Sequence, residues 1–337
     1  MARPGPRNLI TDVQGLRVGQ AEDARVCTGV TVLLADATIP AAVDVRGGAP
    51  GTRETEALDP VSLAGEIEAI TLAGGSVYGL DAASGAMAWL GARGRGFRFA
   101  PATPPAPVVP AAIIFDLLNG GEKNWGETPP YRALALDAIA RASEDFTLGN
   151  HGAGLGARAG LYKGGTGSAS VVTDDGFTLG ALAIVNSVGS PIIPGTDVFW
   201  AHAFEQDGEF GGRRIPSGFK GIDLDLPSDT KLGASAAANT TIAIVATDAV
   251  LMRIELKRLA IMAADGMARA LRPVHAPTDG DTVFAVSTGK RGIGEPRWRD
   301  LMRMGNLAAD CLARAIARGV YAADTIGTMK SYRDVFR

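Results

Sequence analysis

Asn239-Thr240-Thr241-Ile242-Ala243-Ile244-Val245-Ala246-Thr247 is the stretch from which the rest of the chain can be read. From Thr240 onward it is uncharged and rich in β-branched residues, the composition of a strand covered on both faces. Ahead of it lies Gly233-Ala234-Ser235-Ala236-Ala237-Ala238, a tract of small residues expected to be flexible. Behind it, Arg253 to Ala270 carries Leu256, Leu259, Ala260, Ala263 and Met267 on one stripe, the spacing of an amphipathic helix. A short strand at Thr282 to Val286 follows. A closing helix at Asp300 to Arg318 turns Leu301, Met304, Ala308, Cys311, Leu312 and Ala315 to the core.

Toward the N-terminus the same alternation continues. Strands are expected around Leu16 to Val18, Val30 to Leu34 and Ala42 to Val45. Ile67 to Leu72 is a buried strand that runs through Ala73-Gly74-Gly75-Ser76-Val77-Tyr78-Gly79 into a helix at about Leu80 to Leu90. A proline-rich connector, Pro101 to Pro110, leads to a strand at Ala111 to Phe115. Tyr131 to Ser143 reads as a helix, Ala169 to Thr173 and Leu179 to Asn186 as strands, and 205–238 as an exposed loop. Without a clean linker or repeat this is one α/β domain, 1–337. A layered sandwich fits better than a barrel, because neighbouring N-terminal strands lack intervening helices.

Of 337 residues 44 are glycine, nearly twice the usual share, while 46% are hydrophobic and 20% charged. Such a chain can bury a large core. A net charge of −3 gives no electrostatic case for nucleic acid or an anionic membrane as partner. With no apolar run of spanning length and no apolar leader, a cytoplasmic protein is expected. Two distant cysteines, Cys27 and Cys311, and three unpaired histidines, His151, His202 and His275, argue against a disulfide framework and a metal cluster. No cofactor is expected. An enzyme built from this inventory would activate its nucleophile by something other than histidine.

Three places could carry chemistry. The turn at 73–79 follows a strand and opens a helix, as a phosphate cradle does, but it lacks G-x-G-x-x-G and a closing Gly-Lys-Ser/Thr. A tight turn shaping a cleft accounts for it as well. At Asn239-Thr240 a hydroxyl follows a flexible tract and starts a buried strand. There it could attack its own preceding carbonyl, cut the chain through an ester, and expose an α-amine with a reference pKa of about 7.7–8.0 as a local base. An ordinary loop-to-strand boundary fits the same spacing. Asp279-Gly280-Asp281 precedes the strand at 282, where two carboxylates could converge on one site; a solvated turn is the alternative. Lys163 and Asn186 are uninformative singly.

Taken in order, these segments resemble the P1 family of peptidases, which comprises L-aminopeptidase/D-esterase, β-peptidyl aminopeptidases and nylon-oligomer hydrolase. The resemblance runs through Asp44-Val45-Arg46-Gly47-Gly48-Ala49-Pro50-Gly51, Leu72 to Asp81, Val109 to Asp116, Lys163 to Ser170, Asn239-Thr240-Thr241-Ile242 and Pro273 to Ala285. It implies an α/β, four-layer αββα sandwich similar to N-terminal nucleophile hydrolases. It implies self-cleavage between Asn239 and Thr240 into an α chain 1–239 and a β chain 240–337, and commonly a homotetramer. Carried over by motif, Thr240 is the nucleophile, Asp279 and Asp281 position it, and Asn186 helps hold the oxyanion. Gly75, Ser76, Tyr78 and Phe115 would line the substrate site, and the substrate would be a small peptide or linear amide. Phe115 stands where some members carry tyrosine. Leu161 falls in the column of the family's catalytic lysine, which leaves Lys163 as the nearest candidate. An acyltransferase similar to ornithine acetyltransferase and a non-catalytic small-molecule-binding homologue are the other functional expectations.

Overall fold

The computed structural model describes residues 2–223, 225–231 and 239–337; the small-residue tract 233–238 lies outside the described residues. The N-terminal half contains β1 (Ala2–Arg3), β2 (Leu16–Asp23), β3 (Thr28–Val45), β4 (Thr52–Arg53), β5 (Glu66–Ala73), α1 (Asp81–Gly91), β6 (Ala111–Ile113) and α2 (Tyr131–Ala140). Next come β7 (Arg158–Ala159), β8 (Tyr162–Lys163), β9 (Gly165–Thr173) and β10 (Thr178–Asn186). The C-terminal part holds β11 (Thr240–Ala249), α3 (Arg253–Ala270), β12 (Thr282–Arg291), α4 (Arg297–Tyr321) and α5 (Tyr332–Val335).

Strand β3 is the hinge of the architecture. Its first part pairs with β2 and β5, and Ala41 to Val45 pair with β12, with an irregularity between Leu34 and Ile39. One long strand therefore belongs to two sheets. The first runs β1-β9-β10-β11-β12-β3, the second continues through β5, β6 and β4 with β2 on the other side of β3.

The period of two sorts the side chains between layers. Ile242, Ile244 and Ala246 of β11, with Leu182 and Ile184 of β10, meet Leu33, Ile70 and Leu72 of the second sheet. Ala243 and Val245 face the other way, against Leu256, Leu259 and Met267 of α3 and Leu312 and Ile316 of α4. On the far side, Val30, Val32 and Ala69 pack against Ala82, Ala86 and Leu90 of α1 and Leu134 and Ala138 of α2. Helices, sheet, sheet, helices: the four-layer α/β sandwich is what the chain builds. Each fully buried Leu, Ile or Val contributes roughly 1.5–3 kcal/mol, which explains why β11 carries no charge before Asp248.

One expectation needs correcting. Within the segment expected to be an exposed loop, 205–238, several of the described residues are buried. Phe210 is buried against Phe199, with ring centroids 5.5 Å apart. Glu209 receives the buried Arg314 at 2.6 Å, and Thr230 and Lys231 are also buried. Its weak periodicity reflects point anchors in irregular backbone, where no regular period exists to be read.

The same topology creates a common strand end. Asn186, last in β10, lies directly opposite Thr240, first in β11. β12 runs parallel to β11 with Thr282 abreast of Ile242, so Asp281 arrives beside Thr241.

Candidate active site

Thr240 is buried, and its hydroxyl donates to the carbonyl oxygen of Asn239, the group it would have to attack. The same oxygen receives the Gly280 N–H at 2.8 Å. The Asn239 N–H in turn donates to Thr278 O at 3.1 Å, so the 239–240 junction is held on the 278–280 segment from both directions. A Cβ on residue 280 would fall 2.8 Å from Thr240 Oγ1. Glycine at that position is a packing requirement of the Asp-Gly-Asp segment.

The two aspartates converge at this end of the sheet, as the spacing allowed, but on different tasks. Asp281 accepts from Thr241 N–H at 2.7 Å, from His275 N–H at 3.0 Å and from His275 Nδ1 at 2.8 Å. It fixes the start of β11 to the 275 turn. Asp279 is fully buried and accepts from Ala276 N–H at 3.0 Å and Val188 N–H at 3.4 Å. Burial first, and the neighbouring Asp281 charge second, push its carboxyl up to about 6. The Arg46 to Ala49 turn clamps this segment: Arg46 N–H donates to Asp281 O at 3.0 Å and Ala49 N–H to Asp279 O at 2.8 Å. Gly47 sits so close that a Cβ there would lie 2.2 Å from Asp279 O.

Asn186 and Thr240, as an opposed antiparallel pair, project to the same face of the sheet. Asn186 Nδ2 donates to Phe115 O at 3.1 Å. Its Oδ1 receives Arg158 N–H at 3.0 Å, Lys231 Nζ at 3.1 Å and Asn119 Nδ2 at 3.3 Å. Phe115 thus reaches the site by its backbone. The 73–79 turn is tied to it in sequence: Gly75 N–H donates to Asp116 Oδ1 at 2.8 Å and Ser76 N–H to Ile114 O at 3.0 Å. Gly74 N–H is spent on Gly29 O at 3.0 Å. Successive donors are consumed by the protein, so the turn has no row of free N–H groups with which to cradle a phosphate. Gly75 takes φ 83°, the left-handed region glycine tolerates. Tyr78 is half exposed, its ring edge-on to Trp125 at 5.4 Å.

Lys163 closes β8, two residues before β9 begins. It is fully buried, and Nζ donates to Gly154 O at 2.9 Å and Gly164 O at 2.7 Å, beneath the 152–156 glycine turn. Desolvation draws its amine down to about 7. Lys231, which the sequence reading passed over, is the amine that touches Asn186: Nζ donates to its backbone O at 2.9 Å as well as to Oδ1. Its burial lowers the amine well below its usual range, with Arg158 adding to the effect and Asp279 opposing it. A lysine inside a polar, glycine-rich loop gives no sequence signal beyond its closeness to the junction. Among the described residues no group of three or more His, Cys, Asp or Glu gathers around a metal position. No helix among them is long and apolar enough to cross a membrane.

The layer order is that of the N-terminal nucleophile hydrolase fold. A β-aminopeptidase of Burkholderia sp. superimposes with a TM-score of 0.71 at 22% identity, over 98% of this chain and 91% of that one. The L-aminopeptidase D-Ala-esterase/amidase of Ochrobactrum anthropi, described as a variant of that hydrolase fold, gives 0.70 at 22%, over 97% and 89%. The chain belongs to peptidase family S58, whose family model matches residues 8–333. Among curated relatives, an uncharacterized aminopeptidase of Mycobacterium bovis is 42% identical over 98% of both chains. A 6-aminohexanoate-oligomer endohydrolase of Kocuria sp. is 31% identical over 84% of this chain and 76% of its own.

Proposed function

We propose that this protein is a self-cleaving amidohydrolase, an aminopeptidase or linear-amide hydrolase, whose nucleophile is Thr240 at the N-terminus of a β chain 240–337. The observation that carries this reading is the Thr240 hydroxyl bound to the Asn239 carbonyl while Gly280 N–H donates to the same oxygen. An N–H aimed at a carbonyl oxygen stabilises the charge that develops when the carbon is attacked.

Cleavage would run as an N-to-O acyl shift. Thr240 Oγ1 bonds to the Asn239 carbonyl carbon and loses its proton, the C–N bond to Thr240 breaks, and that nitrogen takes up a proton to become the free α-amine. Water then hydrolyses the ester, leaving an Asn239 carboxylate and restoring the Thr240 hydroxyl. In turnover the new amine takes the Thr240 proton as Oγ1 attacks the substrate carbonyl, and returns it to the leaving amine. Water releases the acyl group from Oγ1. The ionised Asp279 favours the transient ammonium, Asp281 holds Thr241 and the strand start, and Asn186 Nδ2 donates to the substrate oxyanion. Gly75, Ser76, Tyr78 and the Phe115 backbone form a wall of the substrate cleft. Lys163 holds the 152–156 turn.

Aminopeptidase and amide-oligomer hydrolase names among the relatives support the substrate class. A panel of α-, β- and ω-amino acyl p-nitroanilides tests it. Release of p-nitroaniline from at least one class, abolished by Thr240→Ala, is expected; wild-type protein inert toward all three classes contradicts it.

A further inference from the structure

Asn186 is an unusual oxyanion donor in one respect: its amide has to be held against rotation, since a flip about χ2 would present an oxygen where a donor is required. Three donors gather on Oδ1, and one of them does more than the others. Lys231 Nζ bridges Asn186 Oδ1, at 3.1 Å, and Asn186 O, at 2.9 Å, clamping the side chain against its own backbone. Nδ2 is left on the opposite side, with one hydrogen on Phe115 O and a second still to give.

Lys231 is itself firmly placed. Its N–H donates to Val188 O at 3.1 Å. Two residues earlier, Asp229 O receives Leu161 N–H at 3.0 Å and the Asp229 carboxylate receives the Ser190 hydroxyl. The residue is 6% exposed, a costly place for an amine unless its contacts matter. It reaches Asn186 from a position eight residues before Asn239, and these anchors lie wholly on the α-chain side. They are independent of the bond to be cut.

We propose that Lys231 is the positioning residue of the oxyanion donor, locking the Asn186 amide so that Nδ2 faces the carbonyl attacked by Thr240, both in self-cleavage and in turnover. This rests on the Thr240 reading above. It also gives a role to the amine that enters from 231 while Leu161, exposed and without an amine, lies alongside the same segment.

A double-mutant cycle tests it. Lys231→Met keeps the stem and removes the donors. It is expected to slow self-cleavage and to lower kcat on the best p-nitroanilide by about 10²-fold, with KM held within about twofold, the signature of lost alignment. In an Asn186→Ala background the same change should cost no more than about threefold further, because the lysine acts through the asparagine. Lys231→Met with unchanged kcat, or losses that multiply in full in the double variant, would overturn the proposal. If Lys231→Met lowers the thermal midpoint, Lys231→Ala with added ethylamine is the second reading: recovered cleavage supports the role, and no recovery in a natively folded variant contradicts it. Thr240→Ala run alongside separates the two claims. Its activity would sink the nucleophile assignment, whereas an inactive Thr240→Ala beside a fully active Lys231→Met would sink only this one.

Discussion

Asn186 and Thr240 stand directly opposite each other at the open end of two antiparallel strands, so the proposed oxyanion donor and the proposed nucleophile share one face of one sheet. Their relation is set by hydrogen-bond register. Register is set in turn by which residues are buried, since a slip of one position would turn Ile184 and Ile242 out of the inter-sheet core. Packing energy spread over whole strands thereby fixes a two-residue geometry.

The first prediction concerns the donor. Asn186→Ala should lower kcat by about 10²–10³-fold while changing KM little, because the interaction is strongest once the carbonyl oxygen becomes an anion. Steady-state kinetics on a p-nitroanilide checks it; a rise in KM at unchanged kcat would place Asn186 in binding alone.

Gly280→Ala probes the junction. The added methyl would sit 2.8 Å from Thr240 Oγ1 and 2.9 Å from Ala49 O, so either the 239–240 bond or the 49 turn must move. Self-cleavage followed on a denaturing gel should slow at least about tenfold, since misplacement on this scale is costly for a positioned attack.

Asp279 steepens an acid limb. With its carboxyl pushed up to about 6, the fall of kcat/KM begun by protonation of the α-amine, of reference pKa about 7.7–8.0, should steepen as pH drops through that value, and Asp279→Asn should lower the plateau by roughly 10²-fold and remove only the steepening. Stability moves in the opposite sense. The folded state holds this proton more tightly than the unfolded chain does, so the group's stabilisation is complete below the unfolded value of 3.8 and is lost as pH rises through about 6. Urea midpoints for wild type and Asp279→Asn between pH 4 and 7 check the sign.

Lys163 makes a separate stability prediction. Its folded amine is drawn from 10.5 down to about 7, so the unfolded chain binds more protons between those values, and the group's contribution is lost as pH falls from the first to the second. Relative to wild type, Lys163→Met should gain stability on going from pH 10 to pH 7. At high pH it should be the less stable of the two, because Gly154 O and Gly164 O lose their donor. A gap that does not change with pH would contradict a buried neutral amine.

Much of this was readable in the sequence because the central strands are doubly covered. Thr240 to Thr247, Leu179 to Asn186 and Ile67 to Leu72 are largely apolar and buried on both faces, and the helices at 253–270 and 300–318 carry clear stripes, so elements and layers follow from period alone. The pairing of Thr240 with Asn186 does not. Two residues 54 positions apart meet only through strand register, and the family resemblance, not spacing, nominated them together. Lys231 was illegible for a plainer reason. It works from irregular backbone, where neither period nor motif marks a side chain as buried. Lys163 shows another limit: its place beside a motif named it as a candidate amine, but the two carbonyls it meets, Gly154 O and Gly164 O, could not be read from the sequence. His275 adds a further case, a histidine engaged in holding Asp281 in place.

The central claim is that Thr240 cuts the chain before itself and then serves as the nucleophile. Intact-mass analysis of purified wild type and Thr240→Ala, paired with p-nitroanilide activity, tests it most directly. The account predicts two wild-type chains, 1–239 and 240–337, the second beginning with threonine, and a Thr240→Ala protein that stays one inactive chain. An active wild type that remains uncut, or an active Thr240→Ala, would contradict it.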